Sequence, residues 1–286
     1  MPELPEVTAL AADLGARLDG HEVKRLDVIS FSALKTFEIS VEELAGQTVT
    51  SVVRHGKFLD FLVGDVHLIM HLARAGWIRW RESAPKPSKA LGRGPLTARL
   101  VLDDGSGFDV TEAGTKKSLA IYLVHDPLEV PGIARLGPEP LEPGFTEEVF
   151  AGILQRAGRS QIKGVLRNQS IIAGIGNAYS DEILHVAKMS PFKPAAMSHE
   201  DAGRLYSAIQ TTLRDAIARA EGLAASELKA EKKSGMRVHG RTGLPCPVCG
   251  DTVRQVIYAD STLQYCPTCQ TGGKPLADRV LSRLLK

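Results

Sequence analysis

The chain has 286 residues, 43% hydrophobic and 24% charged, which excludes a disordered or fibrous polypeptide and leaves material for about two globular cores. Its net charge of +2 conceals an asymmetry: from Lys229 to Lys286 ten Lys/Arg face four Asp/Glu, a balance of +6, so the preceding residues sum to −4. The basic end is a candidate surface for a polyanion. No stretch approaches the roughly 20 apolar residues that span a bilayer, and MPELPEV lacks the basic and apolar regions of a signal peptide. A cytoplasmic protein without a membrane partner is therefore expected.

In chain order, the first element is a helix with Pro5 in its first turn, running to about Leu18 with Val7, Leu10, Ala11, Leu14 and Leu18 at helical spacing and Gly20 just past its end. From Val23 to about Val124 the pattern changes to short β-like runs, TVTSVVR, KFLDFLV, HLIMHLA, WIRW, ARLVL and LAIYLV, divided by turn signals at His55-Gly56, Gly64-Asp65 and Asp104-Gly105. That pattern predicts an antiparallel β-sandwich with a leading helix over residues 1–126. An exposed loop is expected from Ser83 to Pro95, and the Pro/Gly-rich segment 127–144 reads as a linker. Helical periodicity follows at Glu147–Ala157, Ile162–Asn168, Ala178–Val186 and Glu200–Gly222, giving a helical domain over 145–228. The last segment, 229–286, holds the cysteines and strand-like runs at Val253–Tyr258 and Thr262–Tyr265. The fold class is α+β and multi-domain, with no internal repeat and no oligomerisation signature, so a monomer is expected.

All four cysteines fall in two C-x2-C pairs, Cys246/Cys249 and Cys266/Cys269, with sixteen residues between the pairs. Four thiolates at this spacing converge on one Zn²⁺ while the intervening chain forms a hairpin. Four Cys ligands leave no open coordination position, so the metal is structural and the knuckle acts through what its hairpin presents. Nucleic acid leads as the partner of a basic knuckle, and protein is the other partner such ribbons take.

Read alone, MPELPEV is a helix cap preceded by two residues. It also has chemical content, because removing Met1 before Pro2 exposes a secondary amine with a pKa well below that of lysine. Such an amine attacks a carbon at the oxidation level of an aldehyde. Attack on C1′ of a nucleotide displaces the base and leaves an iminium, which acidifies C2′ and permits loss of the 3′ phosphate. Glu3 is placed to move protons at the sugar ring oxygen.

Pro-Glu-Leu-Pro-Glu at residues 2–6, His55-Gly56-Lys57 in a hairpin, Gly174-Ile175-Gly176-Asn177 between helices and the terminal four-cysteine knuckle, in this order, resemble the formamidopyrimidine-DNA glycosylase/endonuclease VIII family over essentially the whole chain. The resemblance implies a β-sandwich, a helix-two-turn-helix domain and a zinc finger, with damaged DNA bound in the cleft between them. It implies Pro2 as Schiff-base nucleophile, Glu3 as acid/base, Glu6 as supporting carboxylate and Lys57 as the lysine that contacts phosphate and assists β-elimination. His71, Lys163 and Asn177 match DNA-backbone contacts, Gly174-Ile175-Gly176 a phosphate seat beside a helix N-terminus, and Glu182 a buttressing carboxylate.

Three positions depart from that pattern. Ser261 stands where the family carries the zinc-finger arginine linked to δ-elimination, and Lys274, Lys116, Lys117 and Arg241 are candidate replacements. Arg74, in His71-Leu72-Ala73-Arg74-Ala75-Gly76, occupies the place of an apolar plug, and residues 111–118 replace the loop that supplies an arginine and a phenylalanine wedge. The expected function is base excision with AP-lyase cleavage stopping mainly at β-elimination, on a substrate other than simply 8-oxoguanine opposite cytosine. A glycosylase specialised for bulky adducts, crosslinks or single-stranded lesions, and a catalytically silent damage-binding protein, are the competing readings.

Overall fold

Val7, Leu10, Leu14 and Leu18 recur at helical spacing and are fully buried on one face of α1 (Leu4–Leu18), the element that opens the chain. A computed structural model describes residues 1–83, 94–114, 116–258 and 261–277. The described chain divides into two compact units: Met1–Arg135 with Ala220–Leu228, and Leu136–Arg219 with the chain from Lys229 onward.

The first unit holds β1 (Val23–Val28), β2 (Val49–His55), β3 (Phe58–Val63), β4 (Val66–His71), β5 (Gly76–Arg81), β6 (Leu96–Leu102), β7 (Gly107–Glu112) and β8 (Ala120–Val124). They form two four-stranded sheets, β1-β6-β7-β5 and β2-β3-β4-β8, antiparallel throughout. One apolar cluster joins both sheets and α1, with the rings of Phe61 and Phe108 stacked 5.5 Å apart across it. The expected sandwich with a leading helix is therefore observed.

β1 and β7 are not among the six strand-like runs of the sequence. In β7 the reason is a buried carboxylate: Asp109 accepts from Arg99 Nε at 2.6 Å and from Arg81 Nε at 2.9 Å. A charged residue in the core breaks the apolar alternation, and its partners sit on strands far away in sequence.

The docking of α1 fixes the direction of the N-terminus. Gly20 N–H, just past the helix, donates to Val49 O at the start of β2 (3.2 Å), and a Cβ on Gly15 would lie 3.8 Å from Cβ of Val52. Moving toward the helix N-terminus thus means moving forward along β2, so residues 2–6 head for the β2–β3 turn at Gly56-Lys57.

Residues 127–135, which composition places in a connecting segment, fold against the first unit as a short 3-10 turn (Pro127–Glu129) and α2 (Pro131–Ala134). Val130 and Ile133 are buried, and a Cβ on Gly132 would lie 2.5 Å from Cζ of Phe58. Most of the exposed loop expected over Ser83–Pro95 lies outside the described residues.

The second unit contains α3 (Glu147–Ala157), α4 (Ile162–Arg167), α5 (Asn177–Val186), α6 (His199–Ala220), α7 (Leu228–Gly235), the hairpin β9 (Arg254–Ile257) and β10 (Thr262–Tyr265), and α8 (Pro267–Thr271). Helices α4 and α5, with two turns between them, make the helix-two-turn-helix. Helix α7 escapes the sequence reading because LKAEKKSG carries one buried apolar residue, Leu228, and no apolar stripe.

The β4–β5 connection closes tightly. Gly76 N–H donates to Leu72 O at 2.8 Å, Ala73 adopts φ +50°, and a Cβ on Gly76 would fall 2.0 Å from Leu72 O. Replacing Gly76 by Ala must shift the backbone, and chemical denaturation should show a loss of at least about 2 kcal/mol. An unchanged midpoint would contradict this reading of the turn.

Candidate functional site

At one end of the first unit several buried polar groups meet, and the local fold explains their placement. Glu3 precedes the first turn of α1, and Glu6 Oε2 accepts from Glu3 N–H at 2.8 Å, one arm of a capping box that fixes the chain just before the helix. Pro2 is buried, and Glu3 and Glu6 are each 2% exposed. Negative charge beside the helix N-terminus is favoured by the unpaired N–H groups there.

Lys57 lies in the turn between β2 and β3, where Gly56 takes φ +56° and Arg54 Nη1 donates to Gly56 O at 2.8 Å. The lysine is 7% exposed. Phe58, the next residue, pairs across the sheet with His71, the last residue of β4, and their rings lie 4.6 Å apart. Lys57 and His71 therefore share the sheet end toward which Pro2 and Glu3 run. Burial, reinforced by the charge of Lys57, pushes the His71 imidazole down to about 4, so it is neutral near pH 7 and presents one N–H donor.

Arg74 is exposed at the apex of the tight turn that follows His71. Glu112 and Ala113, at the start of the loop that follows β7, run beside it, since Gly76 pairs with Glu112 and Ala113 N–H donates to Ala75 O at 3.3 Å. Glu112, 2% exposed, organises this second loop by accepting from the N–H groups of Ser118 (2.7 Å) and Leu119 (3.1 Å). Lys116 and Lys117 are exposed on it, and Thr115 lies outside the described residues. Two adjoining loops thus present cations where the family resemblance implies an apolar plug and an aromatic wedge.

In the second unit, the turns before α5 are closed by Gln169, whose Nε2 donates to Ile175 O (2.7 Å) and whose Oε1 accepts from Gly174 N–H (3.0 Å). Gly174, at φ +82°, therefore spends its N–H internally, which trims the seat expected of Gly174-Ile175-Gly176. Lys163 is 5% exposed, with Nζ donating to Asp181 Oδ1 (2.6 Å), Ser180 Oγ (2.7 Å) and Asn177 O (3.2 Å). The structure thus places this lysine inward, where it braces the first turn of α5. Asn177 Nδ2 donates to Thr262 O at 2.8 Å. Glu182 is 3% exposed and accepts from the N–H groups of Arg237 (2.7 Å), Val238 (2.9 Å) and His239 (2.8 Å), a buttress for the start of the cysteine segment. Burial raises its carboxyl above the usual range, against the pull of those three donors.

The Sγ atoms of Cys246, Cys249, Cys266 and Cys269 all lie within 4.8 Å of one another, with 3.9 Å between Cys246 and Cys269 and 3.4 Å between Cys249 and Cys266. A disulfide requires about 2.05 Å, whereas thiolates about 2.3 Å from one tetrahedral Zn²⁺ stand roughly 3.8 Å apart. The donor set and spacing fit a four-thiolate metal centre. Ser261 sits half-buried in the β9–β10 turn, its carbonyl accepting from Tyr258 N–H at 2.8 Å. No Lys or Arg occurs from Tyr258 to Tyr265. Of the candidate cations, Lys274 is exposed, and Arg241 Nη2 donates weakly to Pro245 O at 3.4 Å.

The sequence reading did not single out Asp181, His185 or His239. Asp181 Oδ2 pairs with His239 Nδ1 at 2.8 Å, and His185 Nε2 lies 3.3 Å from Cys246 Sγ. For Asp181 and His185 the signal was the spacing from Asn177, since positions 177, 181 and 185 share one face of α5; His239 had none.

Comparisons with known proteins agree with this architecture. Residues 1–114 match the formamidopyrimidine-DNA glycosylase N-terminal domain, and residues 136–227 the formamidopyrimidine-DNA glycosylase H2TH domain. An uncharacterized formamidopyrimidine-DNA glycosylase-like protein of Mycobacterium tuberculosis is 58% identical over 153 residues, covering 53% of this chain and 94% of that protein. The formamidopyrimidine-DNA glycosylase of Symbiobacterium thermophilum is 33% identical over 285 residues, covering 94% of this chain and 89% of its own. Among solved structures, MutM in complex with carbocyclic 8-oxo-G containing DNA superimposes with a TM-score of 0.81 at 28% identity, covering 94% of this chain and all of that one.

The depressed His71 value has a measurable consequence. A folded-state value below the unfolded 6.5 contributes stability that is fully present above about pH 6.5 and is lost as pH falls toward 4, because the unfolded chain then binds a proton that the folded chain refuses. NMR titration should place the His71 midpoint near 4, and Lys57→Met should raise it by removing a like charge. A midpoint near 6.5 in the wild-type protein would contradict the burial of the ring.

Proposed function

The chain belongs to the formamidopyrimidine-DNA glycosylase family, and from that premise we propose that it excises damaged bases from DNA through the amine of Pro2 and then cuts the strand as an AP lyase. The observation that carries this reading is the convergence of the α1 N-terminus and the Lys57 turn on one sheet end, with Pro2, Glu3 and Lys57 all buried there.

With Met1 removed, the Pro2 nitrogen attacks C1′, the glycosidic C–N bond breaks, and its electron pair leaves with the base, which takes up a proton. Glu3, as acid, protonates the ring oxygen, and the sugar opens to an iminium on Pro2. The iminium withdraws electrons from C2′. Loss of a C2′ proton then expels the 3′ phosphate, with the buried ammonium of Lys57 stabilising the charge on the leaving oxygen. Water adds to C1′ and releases the amine, closing the cycle. His71, held neutral, donates a hydrogen bond to a DNA phosphate without adding charge.

Zn²⁺ is the metal this reading assigns to the four cysteines, where it holds the β9–β10 hairpin in shape. The absence of Lys and Arg from Tyr258 to Tyr265, the tip and second strand of that hairpin, supports cleavage that stops after β-elimination, because expelling the second phosphate needs further charge stabilisation. The cationic Arg74 turn supports a lesion preference other than 8-oxoguanine opposite cytosine. A guanidinium has different stacking and hydrogen-bonding demands from an apolar plug.

On a duplex with one abasic site, protein shown by mass to lack Met1 should give mainly the β-elimination product. Glu3→Gln should lower base release from a damaged duplex by about a hundredfold or more. An uncut abasic strand would overturn the enzymatic reading, and predominance of the δ product would overturn the role given to Ser261.

A further inference from the structure

One face of α5 meets the cysteine segment at three successive turns. Asn177 Nδ2 donates to Thr262 O, Asp181 pairs with His239, and His185 Nε2 stands 3.3 Å from Cys246 Sγ. The first two contacts hold backbone and a flanking side chain. The third reaches a metal-binding sulfur.

Both partners of that third contact are out of water, since His185 and Cys246 are each 3% exposed. The other ring nitrogen, Nδ1, is buried with no hydrogen-bond partner among the described residues. Leaving a polar atom unpaired is costly, so the ring orientation is set by what Nε2 gains. A thiolate only accepts hydrogen bonds, which requires the proton on Nε2. Four thiolates around one divalent cation also carry net negative charge, and at Cys246, one of the two buried sulfurs of the set, a donor aimed at the sulfur offsets part of it.

We propose that His185 is a positioning residue of the metal centre: its Nε2–H donates to the Cys246 thiolate, slows release of the metal and makes α5 the support on which the zinc knuckle is held. The proposal rests on the assignment of Zn²⁺ to the four cysteines. Donation draws electron density from the sulfur that α5 reaches, so that sulfur becomes less basic and less open to protonation, electrophiles and oxidants. The sulfur contact comes from the helix that also carries Asn177, so loss of metal and distortion of the α5 N-terminus are linked through one rigid element.

The test measures zinc release to a coloured chelator from the full-length protein, after elemental analysis of the wild type. His185→Phe keeps an apolar ring but removes the donor, and should release zinc about tenfold faster or more. His185→Gln places an amide N–H at a reach similar to Nε2 and should recover most of the wild-type rate, whereas His185→Asn, too short to reach, should not. The Co²⁺-substituted protein should keep its four-thiolate spectrum in all variants. Equal release rates for the Phe, Asn and Gln variants and the wild type would overturn the proposal, as would a Co²⁺ spectrum that loses a ligand with His185. If His185→Phe fails to fold, the Gln and Asn pair decides, with equal rates overturning the proposal. A wild type without bound metal would instead sink the zinc assignment itself.

Discussion

The first unit depends on how helix α1 lies along β2. Its C-terminal end is fastened to the start of that strand by Gly20, and its apolar face is sunk in the cluster shared by both sheets. Direction follows from this docking, so the chain start is carried to the Lys57 turn rather than to the far end of the sandwich. A flexible N-terminus would lose several rotatable bonds on reaching a reactive geometry. Here the core bears that cost in advance, and the Glu6 carboxylate holds the Glu3 N–H in the last step before Pro2.

The same end shows how burial tunes function. Lys57 is withdrawn from water and His71 is half-buried, and the lysine charge helps keep the imidazole neutral. A cation and a neutral donor then stand side by side without the repulsion of two cations. In the second unit Lys163 and Asp181 form a buried ion pair, in which the lysine also donates to Ser180 and Asn177 and the carboxylate also pairs with His239.

Much of this was legible in the sequence where a short-range pattern carried it. The Leu10, Leu14, Leu18 stripe announced α1, the paired C-x2-C motifs announced the sulfur cluster, and His55-Gly56-Lys57 announced a turn. What escaped depends on partners distant in sequence. β7 hides behind Asp109, whose arginines come from β5 and β6, and α7 has no apolar face to read. Lys163 illustrates the same limit, since nothing in its sequence neighbours reveals that Asp181 will pair with it. His185 could have been noticed only by following the α5 face from Asn177 at steps of four.

The central claim is that the docked N-terminus supplies the nucleophile. Its most direct test is to reduce the enzyme–abasic DNA complex with borohydride, digest both components and locate the sugar remnant by peptide mass spectrometry. The account predicts the remnant on the N-terminal peptide, attached to Pro2 with Met1 absent. A remnant on the Lys57 peptide, or an N-terminal peptide that retains Met1 and carries no sugar while the strand is cut, would contradict it.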